Sequence, residues 1–290
     1  MHWYLVKKSV LITGSTGFLG RHFAESFSKS DLSTILKSRV DGDVCDEQTW
    51  LKYEPADNLL HLAGPTFVPD SWASPSNFIE NSSLGTLNAL EYCRRTKARF
   101  IFLSTYMYSQ QRGTAATESG AIVPKNPYAL SKFMCETLCN FYSEHFGVAT
   151  VIIRPFNIYG VDQNPKFLVP TILEQALVGD EIHVQDVRPS RDYVYITDFI
   201  GAIKKVIESE VKYDVFNIGS GVSHSVDELI EMVGKVVGRK LKIVSAMTKR
   251  PEEIDFTQAD NSHAKAILGW QPSWSLFDGL SDIWKTLRNV

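Results

Sequence analysis

Cysteine is scarce in this chain of 290 residues. There are four cysteines, Cys45, Cys93, Cys135 and Cys139, and no two of them form a Cys-x-x-Cys pair. Cys135 and Cys139 are four residues apart in a predicted helix and therefore share a face, which favours core packing over the alternatives of a metal site or a disulfide. We predict no metal site, and this cysteine usage fits a reducing cytoplasm.

Long apolar runs and a strong net charge are also absent. No segment approaches the roughly 20 apolar residues of a membrane helix, and residues 1–8 lack the order of basic and apolar regions found in a signal peptide. The formal net charge is -3, from 30 basic and 33 acidic residues. This balance gives no electrostatic reason to expect a nucleic acid. We therefore expect a cytoplasmic protein with neither a membrane nor a nucleic-acid partner.

Apolar, β-rich segments instead alternate with helical patterns in the first half of the chain. Such alternation predicts an α/β fold with a doubly wound parallel sheet, whose strands are buried on both faces. We predict strands at residues 9–13, 33–37, 58–62, 99–103, 150–153 and 215–219, and helices at residues 18–28, 84–95 and 128–146.

The pattern loosens after residue 157, where prolines interrupt shorter elements. We predict a dinucleotide-binding domain at residues 1–157 plus about 190–220, and a smaller substrate-binding lobe at about 158–189 and 221–290. The lobe is interleaved with the first domain along the chain.

Three glycines lie between the first strand and the first helix. They are Gly14, Gly17 and Gly20, and they would allow a tight turn, a close approach to a pyrophosphate, and close packing of helix on strand. A glycine-rich turn without a ligand is the alternative, but this position in the chain favours a Rossmann-type dinucleotide site at the helix N-terminus. We expect cofactor contacts from Gly14, Thr16, Gly17, Phe18, Leu19 and Gly20.

The residues after the second strand bear on the choice of cofactor. A site specific for NAD usually has an acidic residue roughly 20 positions on, but the strand ends in Lys37, Ser38 and Arg39. Two cations without an acid favour NADP(H), while NAD(H) remains possible and both cations could be solvated surface residues. Asp43 could accept a hydrogen bond from the adenine amino group. The alternative is an ordinary helix N-cap among Asp43, Asp46 and Glu47.

A tyrosine and a lysine four residues apart form the candidate catalytic centre. Tyr128 and Lys132 follow the helix-start signal Asn126-Pro127 and share a helix face. Ser104 ends an earlier strand, at the sheet edge where chemistry gathers. Free tyrosine has a pKa near 10, which an adjacent ammonium and an oxidised nicotinamide would lower toward neutrality. The alternative is a surface tyrosine beside an unrelated lysine.

Taken together, these motifs resemble the extended short-chain dehydrogenase/reductase family of nucleotide-sugar epimerases, dehydratases and reductases. The resemblance covers nearly the whole chain. Its ordered motifs stand at residues 13–20, 61–64, 85–88, 128–132, 154–160, 191–194, 216–219 and 250–251.

The resemblance implies roles for single residues. Ser104, Tyr128 and Lys132 match the catalytic triad, and the last two also contact the cofactor. Arg191 and Arg250 match arginines that clamp the substrate diphosphate through bidentate contacts. The remaining implied positions are Thr105 and Asn157 near the substrate, and Asp43, Val44, Leu62, Ala63 and Gly64 at the cofactor.

Departures from the family pattern narrow the reaction. Thr105 and Tyr106 stand where 4,6-dehydratases have an Asp-Glu pair, which argues against dehydration. Tyr106 and Phe167 stand where fucose synthases have a Cys/His pair, which argues against their epimerisation. Arg39 matches an arginine that holds the 2′-phosphate in NADPH-dependent 4-keto-6-deoxy-sugar reductases.

The best-supported hypothesis is a 4-keto reductase of a nucleotide-diphosphate deoxysugar. A nucleotide-sugar epimerase that retains its NAD is the close alternative, and a non-catalytic dinucleotide-binding regulator is the alternative from another class. The resemblance also implies a homodimer built from the helices predicted at residues 84–95 and 128–146, where Phe133, Leu138, Phe141 and Tyr142 supply apolar side chains.

Overall fold

The computed structural model describes residues 7–108, 113–248 and 252–288. These residues divide into two compact units. The first unit holds residues 7–107, 122–154 and 206–216, and the second unit holds the rest. None of the helices in the described ranges is long and apolar enough to cross a membrane.

The elements are numbered in chain order across both units. The strands are β1 Ser9–Thr13, β2 Ser33–Lys37, β3 Asn58–His61, β4 Arg99–Leu103, β5 Thr150–Pro155, β6 Asn157–Tyr159, β7 Glu181–Val184, β8 Ser190–Tyr195, β9 Tyr213–Ile218, β10 Ser223–Ser225 and β11 Lys242–Ser245. The helices are α1 Phe18–Ser28, α2 Glu47–Leu51, α3 Val68–Ala73, α4 Pro75–Thr96, α5 Pro127–Phe146, α6 Leu168–Val178, α7 Ile196–Glu208, α8 Val226–Val237, α9 Ser262–Leu268 and α10 Leu276–Arg288.

The central sheet has six strands in the order β2-β1-β3-β4-β5-β9. The neighbouring pairs from β2 to β5 are parallel. The strand order reverses between β1 and β3, and because crossovers between parallel strands are right-handed, this reversal places helices on both faces. The predicted α/β, doubly wound parallel sheet is confirmed.

Burial explains why these segments form strands. All residues of β3 and β4 are buried, whereas the edge strand β2 is only partly covered. A core cluster joins the sheet to α4 and α5, and it includes Cys93, Cys135 and Cys139. All four cysteines are free, so the predicted core role of Cys135 and Cys139 is confirmed.

Helix α4 differs most from its prediction. It begins at Pro75 rather than at residue 84, because a proline is tolerated in the first turn of a helix. The polar residues of its first half hide the apolar periodicity that identifies a helix in sequence. Helix α5 begins as predicted, with the Asn126 side chain accepting the Ala129 N–H at 2.8 Å.

The second unit is built on two small sheets. One has the order β10-β8-β6, and the other pairs β11 with β7. Several described residues that were predicted to lie in the dinucleotide-binding domain belong to this unit: 108, 113–121, 155–157, 190–205 and 217–220. For β8 the reason is that it pairs with β6 and β10 instead of joining the six-stranded sheet. Which ligand each unit binds remains a prediction.

Candidate active site

The glycine turn between β1 and α1 has no room for larger residues. Gly14 has a φ of +68°, and a Cβ there would lie 2.9 Å from the Ala63 nitrogen. A Cβ at Gly20 would lie 2.6 Å from the Cα of Ser15. Glycine is therefore required at both positions, by the backbone conformation at the first and by close helix packing at the second.

The N-terminus of α1 is available to an anion. Its N-cap is Gly17, which brings no capping side chain, and the first turn holds no acidic residue. The first N–H groups of a helix have no intrahelical acceptor and lie at the positive end of its dipole. The Arg21 guanidinium donates to the Thr16 carbonyl at 2.8 Å, and this bond holds its positive charge beside the turn. Phe18 and Leu19 lie in this same turn, so these residues fit a dinucleotide diphosphate.

The segment after β3 is fixed against this turn by a buried polar pair. The Ala63 N–H donates to Thr13 Oγ1 at 3.3 Å, and that oxygen lies 2.8 Å from His61 Nδ1. Burial lowers the pKa of His61 to about 3, so the ring is neutral and its Nδ1 can accept a hydrogen bond from the Thr13 hydroxyl. The bond from Ala63 to Thr13 therefore holds residues 62–64 beside the glycine turn, and this segment includes Leu62 and Gly64.

The two cations after β2 have different surroundings. The Lys37 ammonium lies 3.1 Å from the Glu54 carboxylate and 5.0 Å from the centre of the Tyr53 ring. Arg39 is exposed, and within the described ranges its guanidinium makes no hydrogen bond or ion pair. Of the two cations predicted to bind a 2′-phosphate, only Arg39 is therefore available without rearrangement.

An acidic residue that the sequence analysis missed lies in the same turn. Asp41 Oδ2 accepts the Ser38 N–H at 2.8 Å and the Ser38 hydroxyl at 3.1 Å. These bonds lower the pKa of Asp41. Two signals could have identified it: the Ser-x-x-Asp capping pattern, and a position about 20 residues after Gly20, where an NAD site carries its acid.

Asp43 does not cap the following helix. Its Oδ1 accepts the Cys45 N–H at 2.9 Å, whereas Asp46 is the N-cap of α2 and accepts the Gln48 N–H at 3.0 Å. The Val44 carbonyl accepts the indole N–H of Trp50 at 2.8 Å. The helix N-cap predicted among Asp43, Asp46 and Glu47 is thus Asp46, and the adenine contact of Asp43 stays a prediction.

The candidate catalytic tyrosine and lysine stand in the first two turns of α5. The Lys132 ammonium donates to the Leu103 carbonyl at the end of β4, at 2.8 Å. It lies 5.0 Å from the centre of the Phe102 ring and 5.9 Å from that of Tyr128. Phe78 packs edge-on against the tyrosine ring, with 6.3 Å between ring centres. The lysine is thus anchored on the carboxyl end of β4, and the catalytic role of the pair stays a prediction.

The Ser104 hydroxyl is buried and lacks a hydrogen-bond partner among the described residues. The residue is 2% exposed, and its Oγ has no hydrogen-bond partner among the described residues. An unsatisfied buried group costs roughly 1–3 kcal/mol, so such groups in folded proteins call for an explanation. One explanation is that the hydroxyl forms a hydrogen bond to an oxygen of a bound ligand. This is the role that the resemblance implies for Ser104.

The protein's own residues raise the pKa of the candidate proton donor. Burial raises the pKa of Tyr128 to about 12, partly offset by a hydrogen bond from Thr105. Burial also lowers the pKa of the Lys132 ammonium. The expected lowering of the tyrosine pKa by Lys132 is not found in the protein alone, because burial is the largest influence on the phenol and Lys132 is not among the groups that offset it.

The predicted substrate residues of the second unit already have partners. The Asn157 amide donates to the Asp192 carbonyl at 2.9 Å. Arg191 donates to the Ser190 carbonyl at 2.9 Å and forms an ion pair with Glu253, which the sequence analysis missed. Arg250 lies outside the described residues. The role of each in substrate binding remains a prediction.

The described ranges hold no cluster of potential metal ligands. No three His, Cys, Asp or Glu side chains in these ranges are grouped as an ion would require. Lys132 shares helix α5 with Tyr128 and donates to the carbonyl of Leu103, the residue before Ser104. The catalytic role of Ser104, Tyr128 and Lys132 remains a prediction.

The sheet and the glycine turn define the class of protein: a Rossmann-type α/β protein with a dinucleotide site. The chain belongs to the family described as the NAD dependent epimerase/dehydratase family, whose sequence profile matches residues 10–219. The predicted resemblance is thereby confirmed. The chain is an enzyme that uses a nicotinamide dinucleotide, and the alternative of a non-catalytic regulator is set aside.

Three similar proteins illustrate the range of the family. The GDP-6-deoxy-D-mannose reductase of Pseudomonas aeruginosa is 28% identical over 292 residues, which cover 94% of this chain and 95% of the reductase. The solved structure of RMD from Pseudomonas aeruginosa complexed with NADPH has a TM-score of 0.89 at 25% identity, covering 98% of this chain and 99% of that one. The UDP-glucose 4-epimerase of Thermus thermophilus, in complex with NAD, has a TM-score of 0.88 at 25% identity, covering 97% and 99%.

Proposed function

We propose that this enzyme reduces the 4-keto group of a nucleotide-diphosphate deoxysugar with NADPH. The observation that carries the proposal is the orphaned hydroxyl of Ser104 on the same sheet edge as the Tyr128/Lys132 pair. The similarity to a GDP-6-deoxy-D-mannose reductase, and to a structure complexed with NADPH, supports it.

The protein's contribution to such a reduction is to hold the ketone and deliver a proton. When bound, the nicotinamide supplies the hydride that the carbonyl carbon accepts. The Tyr128 phenol gives its proton to the carbonyl oxygen, so that the ketone becomes a secondary alcohol. The Ser104 hydroxyl donates a hydrogen bond to the same oxygen. The Lys132 ammonium, anchored on the Leu103 carbonyl, stabilises the phenolate that remains.

The protonation state of Tyr128 favours reduction over oxidation. With a pKa raised to about 12, the phenol carries its proton throughout the neutral range. Ketone reduction needs this protonated form. The first half-reaction of an epimerase needs the phenolate instead, which burial disfavours in the protein without its cofactor.

Recognition of the nucleotide diphosphate is proposed for two arginines. Arg191 and Arg250 match the family's diphosphate arginines, and a guanidinium can donate two parallel hydrogen bonds to phosphate oxygens. Arg191 would exchange its Glu253 partner for the substrate.

An epimerase with retained NAD is the second candidate. One observation favours it. Lys37 forms an ion pair with Glu54 and lies against the Tyr53 ring, so Arg39 is the one cation after β2 that is left for a 2′-phosphate. The NAD complex of a similar UDP-glucose 4-epimerase agrees with that possibility.

A substrate screen separates the two candidates. The purified enzyme is mixed with NADPH and nucleotide-linked 4-keto-6-deoxyhexoses, and cofactor absorbance and sugar products are measured. We expect one NADPH to be consumed for each sugar reduced. If NADPH is untouched while a stable nucleotide sugar is interconverted at one hydroxyl, the reductase proposal fails and the epimerase replaces it.

We also propose that the enzyme is a homodimer through α4 and α5. Phe133 is 37% exposed and Phe141 is 50% exposed, and further apolar side chains on these two helices are also exposed. Of the other two residues expected at this surface, Leu138 is partly buried against the core cluster and Tyr142 is buried. A partner could cover the exposed face. Light scattering at micromolar concentration tests this, and a monomer would refute it.

A further inference from the structure

We infer that a buried ion pair behind the proposed catalytic centre keeps Lys132 charged and thereby sets the upper pH limit of the reaction. The pair consists of Glu136 in α5 and Arg154 in β5. The inference rests on the proposed function and assigns a positioning role to two residues that do not touch the reacting atoms. Arg154 opens one of the motifs of the sequence analysis, whereas Glu136 belongs to none of them.

The two side chains form a bidentate contact away from water. Arg154 Nε donates to Glu136 Oε1 at 2.9 Å, and Arg154 Nη2 donates to Glu136 Oε2 at 2.6 Å. Each residue is only 4% exposed. Replacing a buried ion pair by apolar residues is often neutral or stabilising, because two charges must be taken out of water. Stability alone is therefore a weak reason for two charges at this position.

Glu136 lies on the same face of α5 as the candidate catalytic residues. Tyr128, Lys132 and Glu136 follow one another at intervals of four residues, so they form a stripe along the helix. Side chains in a helix lean toward its N-terminus, which directs the carboxylate toward the turn that carries Lys132. Lys132 donates its hydrogen bond to the Leu103 carbonyl, and Glu136 acts on the ammonium through its charge.

Of the described groups that favour the charged form of Lys132, Glu136 alone is an anion at neutral pH. Burial lowers the pKa of the ammonium, and Cys135, Cys139 and Glu136 oppose that effect. Burial raises the pKa of both thiols, so they are uncharged at neutral pH. Glu136 is the carboxylate of an arginine ion pair. The electrostatic support of the ammonium therefore comes from this pair.

The other described groups around the ammonium carry no charge that could replace the carboxylate. On β3, burial lowers the pKa of His61 to about 3, so its ring is neutral. The strand β4 presents the Leu103 carbonyl and the Phe102 ring. On α5, Tyr128 is a neutral phenol with its pKa raised to about 12, chiefly by burial and in part by Tyr106. The charge of the ammonium consequently depends on the balance between the two members of the pair.

The two members should shift the pH profile of turnover in opposite directions. The reaction needs the ammonium form of Lys132, which stabilises the phenolate, so turnover falls at alkaline pH as this proton is lost. Without the carboxylate, the remaining guanidinium repels the ammonium, and the fall should begin at lower pH. Without the guanidinium, the remaining carboxylate attracts the ammonium, and the fall should begin at higher pH. A merely structural role would not produce opposite shifts.

The test is the pH profile of turnover across the neutral and alkaline range, with NADPH and nucleotide-linked 4-keto-6-deoxyhexoses. The variants are Glu136→Gln, Arg154→Met and the double variant Glu136→Gln/Arg154→Met. Glu136→Asp and Arg154→Lys are the matched controls, because each keeps the charge of the residue it replaces. Thermal melting confirms that each variant is folded, since removing one partner of a buried pair is destabilising.

We expect the alkaline fall to move down by about one pH unit in Glu136→Gln and up by a similar amount in Arg154→Met. The double variant and the two controls should stay close to the wild type. If Arg154→Met does not fold, a downward shift in Glu136→Gln that the double variant restores supports the inference equally.

Two outcomes would contradict this account, and they are distinguishable. An alkaline fall that stays at the wild-type pH in folded Glu136→Gln, or that moves the same way in both single variants, would overturn the inference while leaving the proposed function intact. A wild type that oxidises no NADPH with any of these sugars would overturn the proposed function and the inference with it.

Discussion

The two units of the molecule differ in how their predicted functional groups are held. In the first unit, the Ser104 hydroxyl and the Arg39 guanidinium have no partner among the described residues. In the second unit, Arg191 is paired with Glu253, and Asn157 donates to a backbone carbonyl. Ser104 and Arg39 can thus receive a ligand directly, whereas Arg191 and Asn157 must first exchange partners.

This difference has an energetic meaning. The first unit bears the cost of an unsatisfied buried hydroxyl in the folded protein, before any ligand arrives. At Arg191 in the second unit, the ion pair with Glu253 neutralises the charge in the folded protein, and the cost of separating the pair arises when the substrate binds. We therefore expect changes in the first unit to act on the chemical step and changes in the second to act on nucleotide affinity.

The largest effect should come from removing the proton donor. Tyr128→Phe keeps the ring that packs against Phe78 but loses the proton that the ketone oxygen receives. We expect turnover to fall by about 10²–10⁴, the usual share of general acid catalysis, with nucleotide affinity unchanged. Steady-state kinetics and a cofactor titration of the purified variant measure both quantities. Near-normal turnover would contradict the assignment of Tyr128.

The next effect concerns Arg191 in the second unit. Arg191→Gln should weaken the binding of UDP or GDP by about ten- to a hundredfold, because a charge-assisted bond to the diphosphate is lost. Glu253→Gln should instead tighten the binding severalfold, because the competing carboxylate charge is gone.

The double variant Arg191→Gln/Glu253→Gln is the control for this pair, since removing Arg191 alone leaves Glu253 without its partner. It should bind the nucleotides as weakly as Arg191→Gln. Weaker binding by Glu253→Gln would show that the carboxylate orients the arginine for the diphosphate, and the contrast between the units would then be wrong.

The smallest effect should be a gain in stability at Ser104. Ser104→Ala removes a buried hydroxyl that has no partner, so we expect the free energy of unfolding to rise by about 1 kcal/mol while turnover falls. Ser131→Ala is the matched control, because that buried hydroxyl donates to the Tyr128 carbonyl at 2.8 Å. Denaturant unfolding should show a loss for Ser131→Ala. A similar loss for Ser104→Ala would mean that its hydroxyl is already satisfied.

Much of the first unit could be predicted from sequence, because its signals are local. Buried parallel strands are continuous apolar runs, the start of α5 is marked by Asn126-Pro127, and Gly14 and Gly20 are required by backbone geometry. The beginning of α4 was missed because polar residues interrupt its periodicity. The residues of β8 were assigned to the wrong unit because strand pairing depends on distant segments.

The candidate site shows the same division. The spacing of Tyr128 and Lys132 can be recognised in the sequence. Whether the pKa of the tyrosine is raised or lowered depends on burial, which no sequence motif reports. Asp41 could have been found from its spacing to Ser38. Glu253 could not be found from the sequence, because its ion pair with Arg191 joins residues that are far apart in the chain.

The most direct test of the central claim follows the hydride in a single turnover. The enzyme is mixed with NADPH deuterated at the transferable position of the nicotinamide and a nucleotide-linked 4-keto-6-deoxyhexose, and the sugar product is analysed by mass spectrometry and NMR. A reductase that uses Ser104, Tyr128 and Lys132 as proposed should place one deuterium on C4 of the sugar and form an equal amount of NADP⁺. A product without deuterium, or an interconverted sugar with the cofactor unchanged, would contradict the account.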